Sequence, residues 1–403
     1  MRALGALVGL VVVAGTLGVA PWANGATAVK VCGSGYGHGL GLAQYGAYGR
    51  AQAGQNYAKI VRAYYQGVNL KRYRDNPFVR VLLKQKGLDG SYDVVVASGG
   101  TAQMVNLATG RTVALGPGTY RVMYLSAQKS YQLTNVSSGE QIGGYKGPID
   151  FEPVSGAPLG SAGRSYRGKL RPEVSNSKFY LTNRLRMETY IRGVLPAEMP
   201  SSWAHEALKS QAVAARSYAR VTRGGDLFDF YADTRGQVYG GVSSETTATN
   251  KAVADTAGVV ALYNGKPIRA YYHSSSGGYT EDPSYAFGRP VAYLKAVRDV
   301  DPQGRSFEKG VNSPWTRWSG TLNPDGSAQL DIGSITGVRV LERSPSGRAT
   351  KVEVRGTAGK KTISGEYTIS NALKTNGLKR ADGSSHPAGT LPSARVSFGS
   401  GCR

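Results

Sequence analysis

A glutamate between two prolines is the residue whose neighbours best suit it to acid chemistry. In Val194-Leu195-Pro196-Ala197-Glu198-Met199-Pro200 the prolines fix φ and disfavour helix at the residues before them. A rigid loop is therefore expected around Glu198. Leu195, Met199 and Trp203 supply an apolar neighbourhood that favours the protonated carboxyl and raises its pKa. A carboxylic acid with a raised pKa is the group that protonates a glycosidic oxygen. The residues alone leave open an ordinary loop carboxylate near a helix N-terminus.

Other reaction chemistries find no foothold. Glycines at 33, 35, 37, 39 and 41 never place one at the sixth position of a dinucleotide fingerprint. Residues 163–170 approach a phosphate-binding loop, but Leu170 stands where a hydroxyl must bind magnesium. His205-Glu206 opens a zinc-protease string that Lys209 breaks. Four histidines and two cysteines support neither a zinc cluster nor a thiol protease.

The elements that must position Glu198 read as a mixed α+β chain. Alternate glycines over 33–41 carry the strand period, leaving Tyr36 and His38 on the other positions. A helix is expected over 43–65, and β-branched runs punctuated by Gly-rich turns make 77–181 mainly β. A Ser-, Gly- and Pro-rich loop at 153–168 reads as a subdomain boundary. After Pro200, Ser201 or Ser202 is the expected N-cap of an Ala-rich helix running to about Tyr218. On it, Lys209 and Arg216 lie seven apart and share a face. A further helix is expected over 246–256, with strands at 259–262, 268–272, 338–341 and 351–354.

The chain has 403 residues, with 49 Lys and Arg against 26 Asp and Glu, a net charge of +23 that draws it to polyanions. Arg2, an uncharged Leu- and Val-rich stretch, and Ala26-Thr27-Ala28 have the layout of an export signal cleaved after Ala28. An uncleaved membrane anchor is the alternative. Outside a membrane the available polyanions are wall polymers and lipid headgroups rather than nucleic acid, and a secreted, wall-associated protein is expected.

The strings 190–200 (Tyr-Ile-Arg-Gly-Val-Leu-Pro-Ala-Glu-Met-Pro) and 206–219 resemble the SpoIID/LytB family, stage II sporulation protein D and its amidase-enhancer relatives. Three more stretches agree: Asp233-Thr234-Arg235-Gly236-Gln237-Val238-Tyr239, residues 270–281, and Gly37-His38-Gly39-Leu40-Gly41-Leu42-Ala43-Gln44. Family members commonly carry the Gly-His-Gly block near the C-terminus, whereas here it lies at the other end. The resemblance therefore implies a circularly permuted SpoIID-like fold, with 29–33 beside 396–402 and a disulfide between Cys32 and Cys402. The domains expected are a signal peptide at 1–28, a Gly-His-Gly segment at 29–70 belonging to the catalytic domain, a β-rich subdomain at 77–165 and the catalytic domain at 166–403.

By the same resemblance the protein is a lytic transglycosylase of peptidoglycan. Glu198 protonates the β-1,4 oxygen between MurNAc and GlcNAc, then as carboxylate takes the proton of the MurNAc C6 hydroxyl as that oxygen attacks C1. One carboxylate suffices because the nucleophile belongs to the substrate. Lys209 and Arg216 are expected to neutralise lactyl carboxylates. Gln44, Gln211, Ser217, Gln237, Ser274, Ser275 and Ser276 offer groups for sugar hydroxyls. Tyr36, Tyr218, Tyr239 and Tyr272 offer rings, His38 and His273 line the cleft, and Glu281 is a second carboxylate to test. Cys and His residues that hold a metal in some members do not occur around Asp233–Tyr239, so neither a metal nor another cofactor is expected. A wall-binding regulator of a partner amidase is the competing reading, and an extracellular nucleic-acid binder has only the charge in its favour.

Overall fold

The computed structural model describes residues 28–402, so all of the expected signal peptide except Ala28 lies outside the described residues. The chain is α+β and its contacts divide it into two units, one spanning Ser34–Thr316 and another joining the segment up to Gly33 to the segment from Arg317 onward. The expected divisions near 70–77 and at 165–166 are not where it parts. Strands from both sides of residue 165 share one sheet.

That sheet of the larger unit has seven strands in the order Phe230–Tyr231, Phe78–Lys86, Lys178–Arg186, Lys169–Ser175, Ile149–Pro153, Ala102–Asn106 and Thr112–Leu115. A second, six-stranded sheet runs Gln141–Lys146, Ser130–Asn135, Gly118–Leu125, Ser91–Val96, Leu159–Ser161 and Arg164–Tyr166. Period-two burial marks these strands: Tyr92, Val94 and Val96 point inward from one, Ala102, Met104 and Asn106 from another. The supposed boundary loop instead carries a hairpin whose Leu159 and Gly160 pair with Val96 and Val95. Both sheets feed one apolar core.

Helices close over this core and form the site. The expected helix at 43–65 is two, α1 (Gln44–Gln52) and α2 (Tyr57–Tyr64). Between them Gly54 takes φ +79°, and the Asn56 side chain accepts the Lys59 N–H to cap the second. Strand Lys178–Arg186 runs directly into α3 (Met187–Glu198), which packs against α4 (His205–Thr222). The N-cap of α4 is Ala204, with no side-chain bond, because residues 200–203 form a turn in which the Trp203 N–H donates to the Pro200 carbonyl. α5 (Thr247–Asp255) opens on a capping box between Thr246 and Thr249.

The smaller unit holds the N-terminal strand Lys30–Gly33 between Trp318–Leu322 and Val396–Phe398, both antiparallel to it. Val31 faces Phe398, so the two ends lie side by side as expected. Cys32 and Cys402 form a disulfide with Cα atoms 5.6 Å apart. A three-stranded sheet (Ile335–Arg343, Ala349–Gly356, Gly359–Ser364) completes the unit with the helix Glu366–Ala372.

Candidate functional site

Glu198 is the last residue of α3, not part of a loop. Pro196 sits inside the helix, and the turn survives because the Met199 N–H still reaches the Leu195 carbonyl beyond it. The Glu198 Oε1 accepts the Val238 N–H at 2.7 Å, and the phenol of Tyr272 hydrogen-bonds the same carboxyl. Burial raises its pKa above the ordinary carboxylate value, while the Val238 amide and Tyr272 pull back against that shift. The result is an acid held in place by two donors, its pKa raised by burial.

Behind it lies a buried polar chain. The Gln237 Nε2 donates to the Tyr272 Oη at 3.0 Å and to the Ala215 carbonyl at 3.3 Å, and its Oε1 accepts the Tyr190 phenol at 3.3 Å. α3 supplies Tyr190, α4 the carbonyl, and the 233–241 string Gln237 with the Val238 amide. Tyr272 is delivered from elsewhere: the short strand Tyr272–His273 pairs in parallel with Leu42–Ala43.

That pairing joins the Gly-His-Gly block to the 270–281 string. Tyr36 and Ser275 exchange backbone hydrogen bonds, the Tyr45 N–H donates to the Ser274 carbonyl, and the Glu281 N–H to the Gly39 carbonyl. Yet the block is not the expected strand: Gly35, Gly37, Gly39 and Gly41 all take positive φ, which no run of strand residues does. At Gly41 a β-carbon would also strike the Tyr271 carbonyl. His38 is exposed, and its Nδ1 accepts the Leu40 N–H at 3.0 Å. His273 is buried, with Nδ1 3.1 Å from the Leu40 carbonyl; the two imidazoles stand 5.6 Å apart.

Residues 175–263, which include α3, α4, Gln237 and Val238, match the family model described as stage II sporulation protein, SpoIID. That SpoIID-like segment carries Glu198. Similar proteins include an uncharacterized protein of Brachyspira hyodysenteriae, 38% identical over 221 residues that cover 53% of this chain and 58% of that protein. The amidase enhancer of Bacillus subtilis is 49% identical over 114 residues, 28% of this chain and 16% of the enhancer. Stage II sporulation protein D of Bacillus subtilis is 37% identical over 176 residues, 38% of this chain and 50% of that one. The chain thus spans less than two thirds of each. Tyr272, which touches the Glu198 carboxyl, lies outside the SpoIID segment.

Within the SpoIID segment several expected sugar ligands prove to be internal. Arg216 is 2% exposed; its Nε and Nη2 grip both Glu188 oxygens at 2.7 and 2.8 Å, and Nη1 donates to the Val259 carbonyl. Lys209 pairs with Glu206 at 2.5 Å and lies over the Tyr57 ring, while Glu206 also accepts the Tyr57 N–H. The Ser217 hydroxyl bridges the Val213 carbonyl and the Ala261 N–H across to the strand Val259–Tyr263. Gln237 is buried as described, and Tyr239 is a core residue whose phenol donates to Asn183. Gln44 and Gln211 are buried as well, and among the described residues neither amide atom of Gln211 has a hydrogen-bond partner.

Outside the segment, Ser275 and Ser276 are held by Glu308: both hydroxyls and the Ser276 and Gly277 N–H groups reach its two oxygens at 2.6–3.2 Å. Burial beside Asp299 pushes Glu308 up to about 7, and Asp299 is itself bound by Arg50 and Tyr64. No motif marks Asp299 or Glu308 in the sequence. Tyr36, which is exposed and packs on Trp315, remains available to solvent with His38, while Tyr218, Tyr272 and Ser274 are half-buried. Glu281 is buried, its carboxyl accepting the Asp282 N–H.

The Arg216 geometry carries its own prediction. Arg216→Met leaves Glu188 without its partner and should cost about 3 kcal/mol, whereas Glu188→Gln with Arg216→Met should recover most of that. Urea unfolding of the three proteins decides it. Unchanged stability with weakened glycan binding would return Arg216 to the substrate.

Proposed function

We propose that this protein cleaves peptidoglycan glycan strands as a lytic transglycosylase, with Glu198 as both acid and base. The observation that carries the reading is the Glu198 carboxyl, its pKa raised by burial and its oxygens aimed by the Val238 amide and Tyr272. In the first half of the reaction Glu198 gives its proton to the oxygen leaving C1 of MurNAc. In the second it takes the C6 hydroxyl proton as that oxygen bonds to C1. One C–O bond breaks, one forms, and Glu198 ends as it began, so neither water nor cofactor is consumed. The SpoIID segment and its relatives support a role at the cell wall, where the excess of basic residues suits anionic polymers. We further take the Gly-His-Gly block as the permuted counterpart of a C-terminal one, since it pairs with the 270–281 string.

A second reading is favoured by the similarity to an amidase enhancer: the chain would bind wall glycan and stimulate a partner amidase without cutting. Digestion of purified glycan strands in heavy-oxygen water separates the two. The intramolecular reaction yields 1,6-anhydro ends with no label from solvent. Labelled reducing ends would indicate hydrolysis, and intact strands would favour the enhancer.

A further inference from the structure

Tyr272 owes its place beside Glu198 to a short run of backbone that is pinned on both sides of it. Gln237 and Val238, neighbours in the chain, fix the two groups together. The Gln237 Nε2 donates to the Tyr272 Oη at 3.0 Å, and the Val238 N–H donates to the Glu198 Oε1 at 2.7 Å. Before Tyr272, the Tyr271 carbonyl accepts the Tyr65 phenol at 2.6 Å and the Leu42 N–H at 3.1 Å. After it, the pin is Glu308.

Glu308 sits on the short helix Phe307–Gly310 and is fully buried. Its Oε1 accepts the Ser276 N–H at 2.6 Å and the Ser276 hydroxyl at 2.8 Å. Its Oε2 accepts the Ser275 hydroxyl at 2.6 Å and the Gly277 N–H at 3.2 Å. All four groups are donors. An ionised carboxylate has about four lone-pair sites and no donor, so the arrangement fits the charged form, and a proton would displace one of the four. The turn has no slack on its other side either. A β-carbon on Gly277 would stand 2.6 Å from the Ser34 Oγ, and the Ser275 carbonyl accepts the Tyr36 N–H at 2.9 Å.

Bracing a turn does not call for a buried charge. Among the described residues no lysine or arginine pairs with Glu308, and its charged neighbour Asp299 has the same sign. Asp299 takes the Arg50 guanidinium at 3.1 Å and the Tyr64 phenol at 2.9 Å for itself. An anion buried among neutral donors and beside another anion costs stability. Its return is geometric: four short bonds hold the Ser275–Gly277 turn at one depth.

We propose that Glu308 is a positioning residue for the reaction at Glu198, its carboxylate drawing in the Ser275–Gly277 turn so that the Tyr272 phenol meets the acid. This rests on the reading of Glu198 as the reacting group. Glu308 itself touches no substrate.

A fluorine label tests it without cleavage: 3-fluorotyrosine at position 272, in the Glu198→Gln background so that Glu198 does not titrate. Burial beside Asp299 sets the Glu308 titration near 7, so its charge is present above that pH and lost below it. The fluorine resonance should therefore move with pH about that midpoint, and Glu308→Gln should abolish the movement. Ser276→Ala removes a donor to the charged form and should carry the midpoint higher. In proteins that keep Glu198, Glu308→Gln should lower kcat about tenfold with KM within about twofold, the signature of a misplaced catalytic group. A resonance that ignores pH, or titrates alike in Glu308→Gln, overturns the proposal, as does an undiminished kcat in a folded Glu308→Gln protein. If that variant fails to fold, Ser276→Ala decides, an unmoved midpoint overturning it. Absence of cleavage by every protein would count against the chemistry at Glu198 and leave the fluorine measurement to judge Glu308.

Discussion

Glu198→Gln should lower the yield of 1,6-anhydro ends at least a thousandfold while glycan affinity stays within about twofold, because general acid–base catalysis alone supplies factors of 10²–10⁴ and this reaction would use one residue for both proton transfers. Glutamine keeps the shape and retains an oxygen for the Val238 N–H, so the fold should be undisturbed. Mass spectrometry of strand ends and a binding titration supply the two readouts. Equal yields from both proteins would move the function to the enhancer reading. The pH profile gives an independent check. Burial raises the Glu198 pKa, so its protonated form persists above the usual carboxylate range, and cleavage should fall as pH rises through the raised value. Tyr272 lowers that pKa, so Tyr272→Phe should carry the falling limb to higher pH.

The second large effect concerns stability. Cys32 and Cys402 are separated by 370 positions, and a cross-link over that span restricts the unfolded chain by about 6 kcal/mol on the chain-entropy account. Replacing both by serine should move the urea midpoint of the smaller unit down sharply, since the strand Lys30–Gly33 would then be held only by its two neighbours. Non-reducing peptide mapping should recover the two half-cystines joined. Two alkylatable thiols, or an unchanged midpoint in the serine variant, would refute the assignment.

Much of the acid's setting was legible because it is local. Leu195 and Met199 announce a dry carboxyl, and the run of alanine, leucine and lysine after His205 announces α4. Arg216 turns to Glu188, which its sequence position does not reveal, because a cation on a helix looks the same in sequence whether it faces solvent or a buried acid. Pro196 misled in the opposite way: it forbids one hydrogen bond, and near the end of a helix the turn tolerates that loss. The alternate glycines matched the strand period, but spacing does not reveal the sign of φ, which is positive at Gly35 through Gly41 wherever glycine recurs. Asp299 and Glu308 were invisible, since each is a solitary acid whose partners come from distant segments. The pairing of the two ends was expected, but nothing in the composition marks Thr316/Arg317 as the point where the chain passes from one unit to the other.

The imidazole of His273 reaches a carbonyl 233 positions earlier in the chain, and that distance governs how the protein is made. The glycine-rich segment leaves the ribosome long before the strand that receives it, so its pairing must wait for a late, entropically slow loop closure. Few of its residues carry apolar side chains and its twisted backbone matches no flat edge, which makes it a poor template for aggregation during the delay. The same glycines that shape the finished site therefore also protect the nascent chain.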